Sequence, residues 1–227
     1  MSKNKISLSI ITLILIILVF IGVKTRVSFV YENNLEYDWN NYKIFDMNVN
    51  DIYYDKVDKV ENVITNSFII AKVKMTDEKQ ILNQCVLSKV EVINIYKNET
   101  NKYIDEDNDL YIYEPISVQN NTSSIYTTYG YIPMIENNEY MVFLKPLKVP
   151  KDYKMSEKEE ISFMYYNPIY GKKSVDDKLY YINNDNKELE LNDIINYDVI
   201  LKSDTIDIYN EFNQIINEYV KEKSSSL

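Results

Sequence analysis

The sequence predicts a mainly β domain with flanking helices, of the α+β class, set behind an apolar amino-terminal segment. Three observations predict it. From residue 67 onward, short runs rich in Ile, Val and Tyr alternate with polar stretches of Asn, Asp, Ser and Lys, the pattern of strands joined by turns. Residues 203–223 place apolar side chains at spacings of three and four, which makes an amphipathic helix. Ile6–Val23 runs for 18 residues without a charge.

The apolar segment comes first. As a helix it would span about 27 Å, enough for the hydrocarbon core of a bilayer. A cleaved signal peptide would show a shorter apolar core followed by a small-x-small site. Here bulky and charged residues follow (VKTRVSFVYENN), and no cysteine is placed to take a lipid. The expectation is an uncleaved signal anchor in residues 1–26, single-pass in the plasma membrane. Lys3 and Lys5 are balanced by Lys24 and Arg26, so flanking charge does not set the orientation. The short amino end favours a cytoplasmic tip and an extracytoplasmic domain.

Residues 27–50 lack periodicity and read as a tether with an edge strand near Tyr42–Phe45. In residues 51–66, Val57, Val60 and Ile64 predict a short amphipathic helix. Residues 67–75 (SFIIAKVKM) read as a strand and residues 80–96 as one long strand, with neither face of the latter wholly polar. A polar connection over 97–108 precedes a strand over 109–116 that stops near Pro115. Residues 117–129, rich in Ser, Thr and Asn, read as a loop, and Glu139–Lys145 as a strand. A charged loop (148–160), a strand (161–171) and a hairpin (176–191) turning at Asn183, Asn184, Asp185 and Asn186 follow. The last helix, capped by Ser203 or Asp204, carries an apolar stripe of Ile208, Phe212, Ile215, Ile216 and Tyr219 for core packing.

Between residues 57 and 147 the order of a short helix, NSFIIAKV, SKVEVINIYKN, DLYIYEP and YGYIPMIENNEYMVFLKP resembles an extracytoplasmic OB-like β-barrel domain of uncharacterised Gram-positive bacterial surface and lipoprotein-like proteins. Ala71, Asn98, Asn108 and Asn138 stand where that pattern carries Gly, and Asn tolerates left-handed turns better than other side chains. The resemblance implies an OB-like Greek-key barrel over residues 51–147 and no particular activity. A loop and β-hairpin extension over 148–202 and the helix over 203–223 would complete the chain.

Composition narrows the chemistry. There is no histidine, which removes the commonest general base and zinc ligand. The lone Cys85 forms no internal disulfide and, in an apolar run, reads as an inert thiol. With four of its 25 basic and none of its 35 acidic residues in the first 26, the remainder carries a net charge of −14, a poor partner for nucleic acid. Asp105, Asp107 and Asp109 alternate as calcium ligands do, but Leu110 stands where the helix-loop-helix site needs Gly and Ile116 where it needs Glu. They are weak metal candidates beside the plainer reading of a solvated loop. Tyr126, Tyr129 and Tyr131, with Tyr165, Tyr166 and Tyr170, are weak candidates for stacking on cell-wall sugars; tyrosines in strands more often pack with the hydroxyl at the surface. Glu114, Glu136 and Glu139 are the acids available to a carboxylate hydrolase. The sequence reading is a non-catalytic, cofactor-free domain that binds a protein or cell-wall component. A structural subunit of a membrane complex and, less favoured, a carboxylate-based hydrolase stand beside it.

Overall fold

The computed structural model describes residues 12–22, 39–47, 54, 57, 59–175, 180–183 and 188–224. The chain forms two compact units, Met1–Asp38 and Trp39–Leu227. In the first, residues 12–22 form helix α1, whose large apolar side chains from Leu13 to Ile21 are 49–67% exposed. Among the described residues no helix is long and apolar enough to cross a membrane. Of the expected span Ile6–Val23, residues 6–11 and 23 lie outside them, as does most of the expected tether.

In the second unit the strands are β1 (Lys43–Met47), β2 (Ile69–Ile81), β3 (Val86–Asn98), β4 (Asp109–Glu114), β5 (Ile116–Gln119), β6 (Ser124–Thr128), β7 (Glu139–Pro146), β8 (Ser162–Tyr165), β9 (Lys172–Ser174), β10 (Tyr181–Ile182), β11 (Leu189–Glu190) and β12 (Ile200–Leu201). Helices α2 (Glu61–Asn66), α3 (Glu157–Glu160), α4 (Leu191–Ile194) and α5 (Ile206–Ser224) complete it.

Five strands close a barrel. β2 pairs antiparallel with β3 and β7, β3 with β4, and β7 with β8; β4 and β8 run parallel and complete the ring. Side-chain alternation explains why these segments hold together. Ala71, Val73, Val90, Val92, Leu110, Ile112, Val142, Leu144, Phe163 and Tyr165 share one buried cluster. Ile70, Met141 and Phe143, on the opposite face, join a second cluster with Val60 and Val63 beside α2 and Tyr209, Phe212 and Ile216 of α5. Strands buried on both faces carry no polar face, and that is why β7 reads as a continuous apolar run.

A second sheet, ordered β11-β1-β6-β5, has β1 parallel to β6 and antiparallel to β11. Tyr42, Ile44, Ile116, Ile125 and Leu189 link it to the barrel's core cluster.

Several sequence expectations change. The run 80–96 is not one strand: β2 extends to Ile81 and β3 starts at Val86, with Leu82 N–H bonded to Cys85 C=O at 2.9 Å. The turn at Asn83–Gln84 lets two long strands pair as a bulged hairpin. The loop expected over 117–129 is the hairpin β5–β6, turned by Ser123 at φ 47°; its strand partner β1 lies some eighty residues earlier, out of reach of a local reading. β10 and β11 do not pair with each other. β10 runs parallel to β12 and β11 antiparallel to β1, and residues 184–187 of the expected turn lie outside the described ones. Of the helix expected over 51–66, the described helical part is α2. In α5 the buried stripe is Tyr209, Phe212 and Ile216, while Ile208 is 43% exposed. A 3-10 turn at Ser203–Thr205 delays the α-helix to Ile206, and the three-and-four spacing then falls on Tyr209.

Candidate functional site

The barrel carries a buried carboxylate. Along β4 the inward positions are Leu110, Ile112 and Glu114, so the acid continues an apolar row and is fully buried. One oxygen accepts from the Ser88 hydroxyl and the other from Tyr131 OH (2.7 Å) and Met134 N–H (2.8 Å). Lys79 Nζ stands 3.8 Å away, donates to Met134 C=O at 2.6 Å, and lies over the Trp39 ring. Tyr165 OH is 3.0 Å from Tyr131 OH. Burial first, and the Glu114 charge second, hold both phenols well above the ordinary tyrosine range. A carboxylate with both oxygens engaged ties residues 131–134 to the barrel wall.

The sequence-predicted residues are dispersed. Asp105 sits in a tight turn, accepting from Tyr103 OH (2.6 Å) and Glu106 N–H (2.9 Å), and these bonds lower its pKa. Asp107 takes the left-handed turn position at φ 64°. Asp109 opens β4 and pairs with Lys89 at 2.8 Å. Among the described residues no cluster of three or more Asp, Glu, His or Cys side chains is disposed to hold a metal. Tyr126 stacks on Phe45 at 5.4 Å, and Tyr129 sits at φ 54° in the turn after β6. Tyr131 corrects the stacking expectation: it is fully buried, with its hydroxyl on Glu114, so its ring is closed to a sugar. Cys85 lies in the β2–β3 turn, half-buried, with burial pushing its thiol up to about 11.

One open groove, of about 430 Å³, is lined by Asn66, Phe68, Lys145, Pro146, Leu147, Lys148 and Tyr166. Four segments build it. Asn66 ends α2, and its side-chain amide donates to Tyr166 OH at 3.3 Å, just past β8. Phe68 precedes β2; its N–H is taken by Leu144 C=O at 2.9 Å, and its side chain stays 43% exposed. Lys145 follows Met141 and Phe143 along the outward row of β7 and lies 5.8 Å from the Tyr166 ring and 5.7 Å from the Tyr54 ring. Lys97 Nζ donates to Ile64 C=O and Thr65 C=O, closing the last turn of α2 beside it. An apolar floor edged by ammonium groups and an amide suits a ligand with an apolar face and an anionic or carbonyl-bearing edge, in a volume typical of ligand clefts. Sequence reasoning missed Phe68 as a lining residue; its only signal is an aromatic one position before the first buried residue of a strand. No protein-family model matches the chain, and no curated protein matches it in sequence.

Proposed function

We propose that the chain is an extracytoplasmic binding module: an OB-type barrel, held to the plasma membrane by the segment around α1, that takes a protein or cell-wall component in the Phe68–Tyr166 groove. The groove carries this reading. It is concave and mostly apolar, and it keeps a large aromatic half-exposed beside lysines in a protein of net charge −10. The strand order, with one parallel pair closing five strands, supports the OB label, a barrel type used for binding. The anchor reading rests on α1, apolar on every side and exposed on every side. The negative charge disfavours a nucleic-acid ligand.

The test is a thermal melt of the full chain in detergent with soluble wall fragments and with solubilised membrane proteins. A ligand held at 100 times its dissociation constant adds about 2.7 kcal/mol, roughly 5–10 °C for a domain of this size. Protection of the wild type that is lost in Phe68→Asp supports the groove. Equal protection of both proteins places the ligand elsewhere and overturns the assignment.

A further inference from the structure

Two oppositely charged side chains meet inside the protein from positions 26 residues apart. Lys172 opens β9 and Asp198 lies two residues before β12, and their side chains are 2% and 1% exposed. Lys172 Nζ donates to the main-chain oxygen of Asp198 at 3.1 Å and stands 4.0 Å from its Oδ1. The rings of Tyr131 and Tyr140 flank the ammonium at 4.9 and 5.2 Å, and both are fully or almost fully buried. Asp198 Oδ2 accepts the Ser174 N–H at 2.9 Å.

Desolvating two charges carries a cost that the ion pair, the hydrogen bonds and the ring faces around it have to offset. A proton passed from the ammonium to the carboxylate removes both charges and leaves an amine facing a carboxylic acid where water is excluded. We propose that Lys172 and Asp198 condense into an intramolecular amide, a covalent cross-link between β9 and the segment entering β12. The lone pair of Nζ attacks Cγ of Asp198, and the bond from Cγ to Oδ1 breaks. Oδ1 leaves as water with two of the three ammonium protons, so ammonium plus carboxylate gives a neutral amide plus one water and no other reactant is consumed. Oδ2 becomes the amide carbonyl oxygen. The Ser174 N–H already on it is the donor that holds the negative charge developing there.

Fixed strands supply the rest. They hold Nζ 4.0 Å from Oδ1, and groups brought from there into a near-attack geometry behave as if present at roughly 10⁵ M or more, which favours condensation over the free acid and amine. A dry site removes the water that would reverse it. The bond closes the stretch from 172 to 198 and pins the entry to α5 to the barrel, whatever the groove holds.

The test is the mass of the full chain, incubated folded at neutral pH and then measured under denaturing conditions. The expected mass falls short of the sequence mass by one water. A tryptic map should show no cleavage after Lys172 and one linked peptide joining it to Asp198. Lys172→Arg, which keeps the charge without the amine, and Asp198→Ala should each restore the full mass expected for their sequence. The wild-type map decides the matter even if a variant fails to fold. A wild-type mass equal to the sequence mass overturns the proposal, and so does a lost water mapped to any other residues.

Discussion

Glu114 is where the packing argument can be tested most sharply. Glu114→Ala removes the acceptor of three buried donors. Tyr131 OH keeps Tyr165 OH at 3.0 Å, but Met134 N–H and the Ser88 hydroxyl are orphaned. At roughly 1–3 kcal/mol for each orphaned group, the loss is about 4 kcal/mol. At about 2–4 °C per kcal/mol for a domain of this length, that is a fall of roughly 8–16 °C in melting temperature. Glu114→Gln behaves differently. Its carbonyl can still accept from Tyr131 and Met134, and its amide can donate to the Ser88 oxygen. What it loses is the attraction to Lys79, a partly exposed partner at 3.8 Å, worth about 1 kcal/mol or less. Scanning calorimetry of the wild type and both variants measures the contrast. An Ala variant that melts within two or three degrees of wild type refutes the reasoning, and so does a Gln variant as unstable as Ala.

Phe212→Ala empties a site ringed by Phe143 at 5.6 Å, Tyr170 at 5.3 Å and Tyr209 at 5.8 Å; about 3–5 kcal/mol of stability should go, against under about 0.5 for Ile208→Ala on the exposed side, both read by urea unfolding. Gly130→Ala asks for a side chain at φ +69° with its Cβ 2.0 Å from Ile200 C=O, so it should cost more stability than the roughly 1–2 kcal/mol of left-handed strain alone, read by urea unfolding. Cys85, with its thiol at about 11, should alkylate at pH 8 roughly a hundred-fold more slowly than in the unfolded chain, followed by mass spectrometry. Glu159 accepts from Tyr153 OH and from Ser156, and these bonds lower its pKa. Its contribution is therefore fully present above the ordinary value of roughly 4.3 and lost as pH falls through the folded one; NMR titration should show that low midpoint, and Glu159→Gln should loosen the 153–160 turn at neutral pH.

The barrel strands were legible because each carries its own pattern. Leu110, Ile112 and Phe163 alternate inward, Val73 and Met75 alternate with Lys72 and Lys74, and Tyr140–Leu144 is apolar enough to need burial on both faces. Of the second sheet the strand near Tyr42–Phe45 was legible, but not its central place, because that rests on a parallel pairing of Lys43–Met47 with Ser124–Thr128; Thr127 and Ser124 look like loop residues until a distant strand takes their backbone. Glu114 stood out only as one of three acids, with Glu136 and Glu139, available to hydrolysis, and not as a buried anchor of the barrel. Its signal was positional: it stands where the inward row of β4 calls for another apolar residue. Lys172 gave no such signal, since nothing in NPIYGKKSV separates a buried lysine from an exposed one without knowing that Asp198 returns to meet it.

The groove follows from where the helical cover of the barrel stops. Along β7 the outward row is Met141, Phe143 and Lys145. Helix α5 covers the second of these through Phe212, and α2 ends at Asn66, on the edge of the groove that the third lines. Among the described residues the last rung is bordered by the Tyr54 and Tyr166 rings and by the aliphatic stem of Lys145 itself. A leucine at 145 would let the second cluster run on to the strand end and would suit Phe68 and Tyr166 as neighbours. Phe68 is left half-exposed instead, although β2 begins with Ile69, Ile70 and Ala71 all fully buried. Stability alone would favour closing that corner, because burying the rest of the Phe68 ring would gain free energy at roughly 25 cal/mol per Å². An open, aromatic, lysine-edged corner at the end of an otherwise two-sided core is the arrangement expected if an apolar surface from outside completes it.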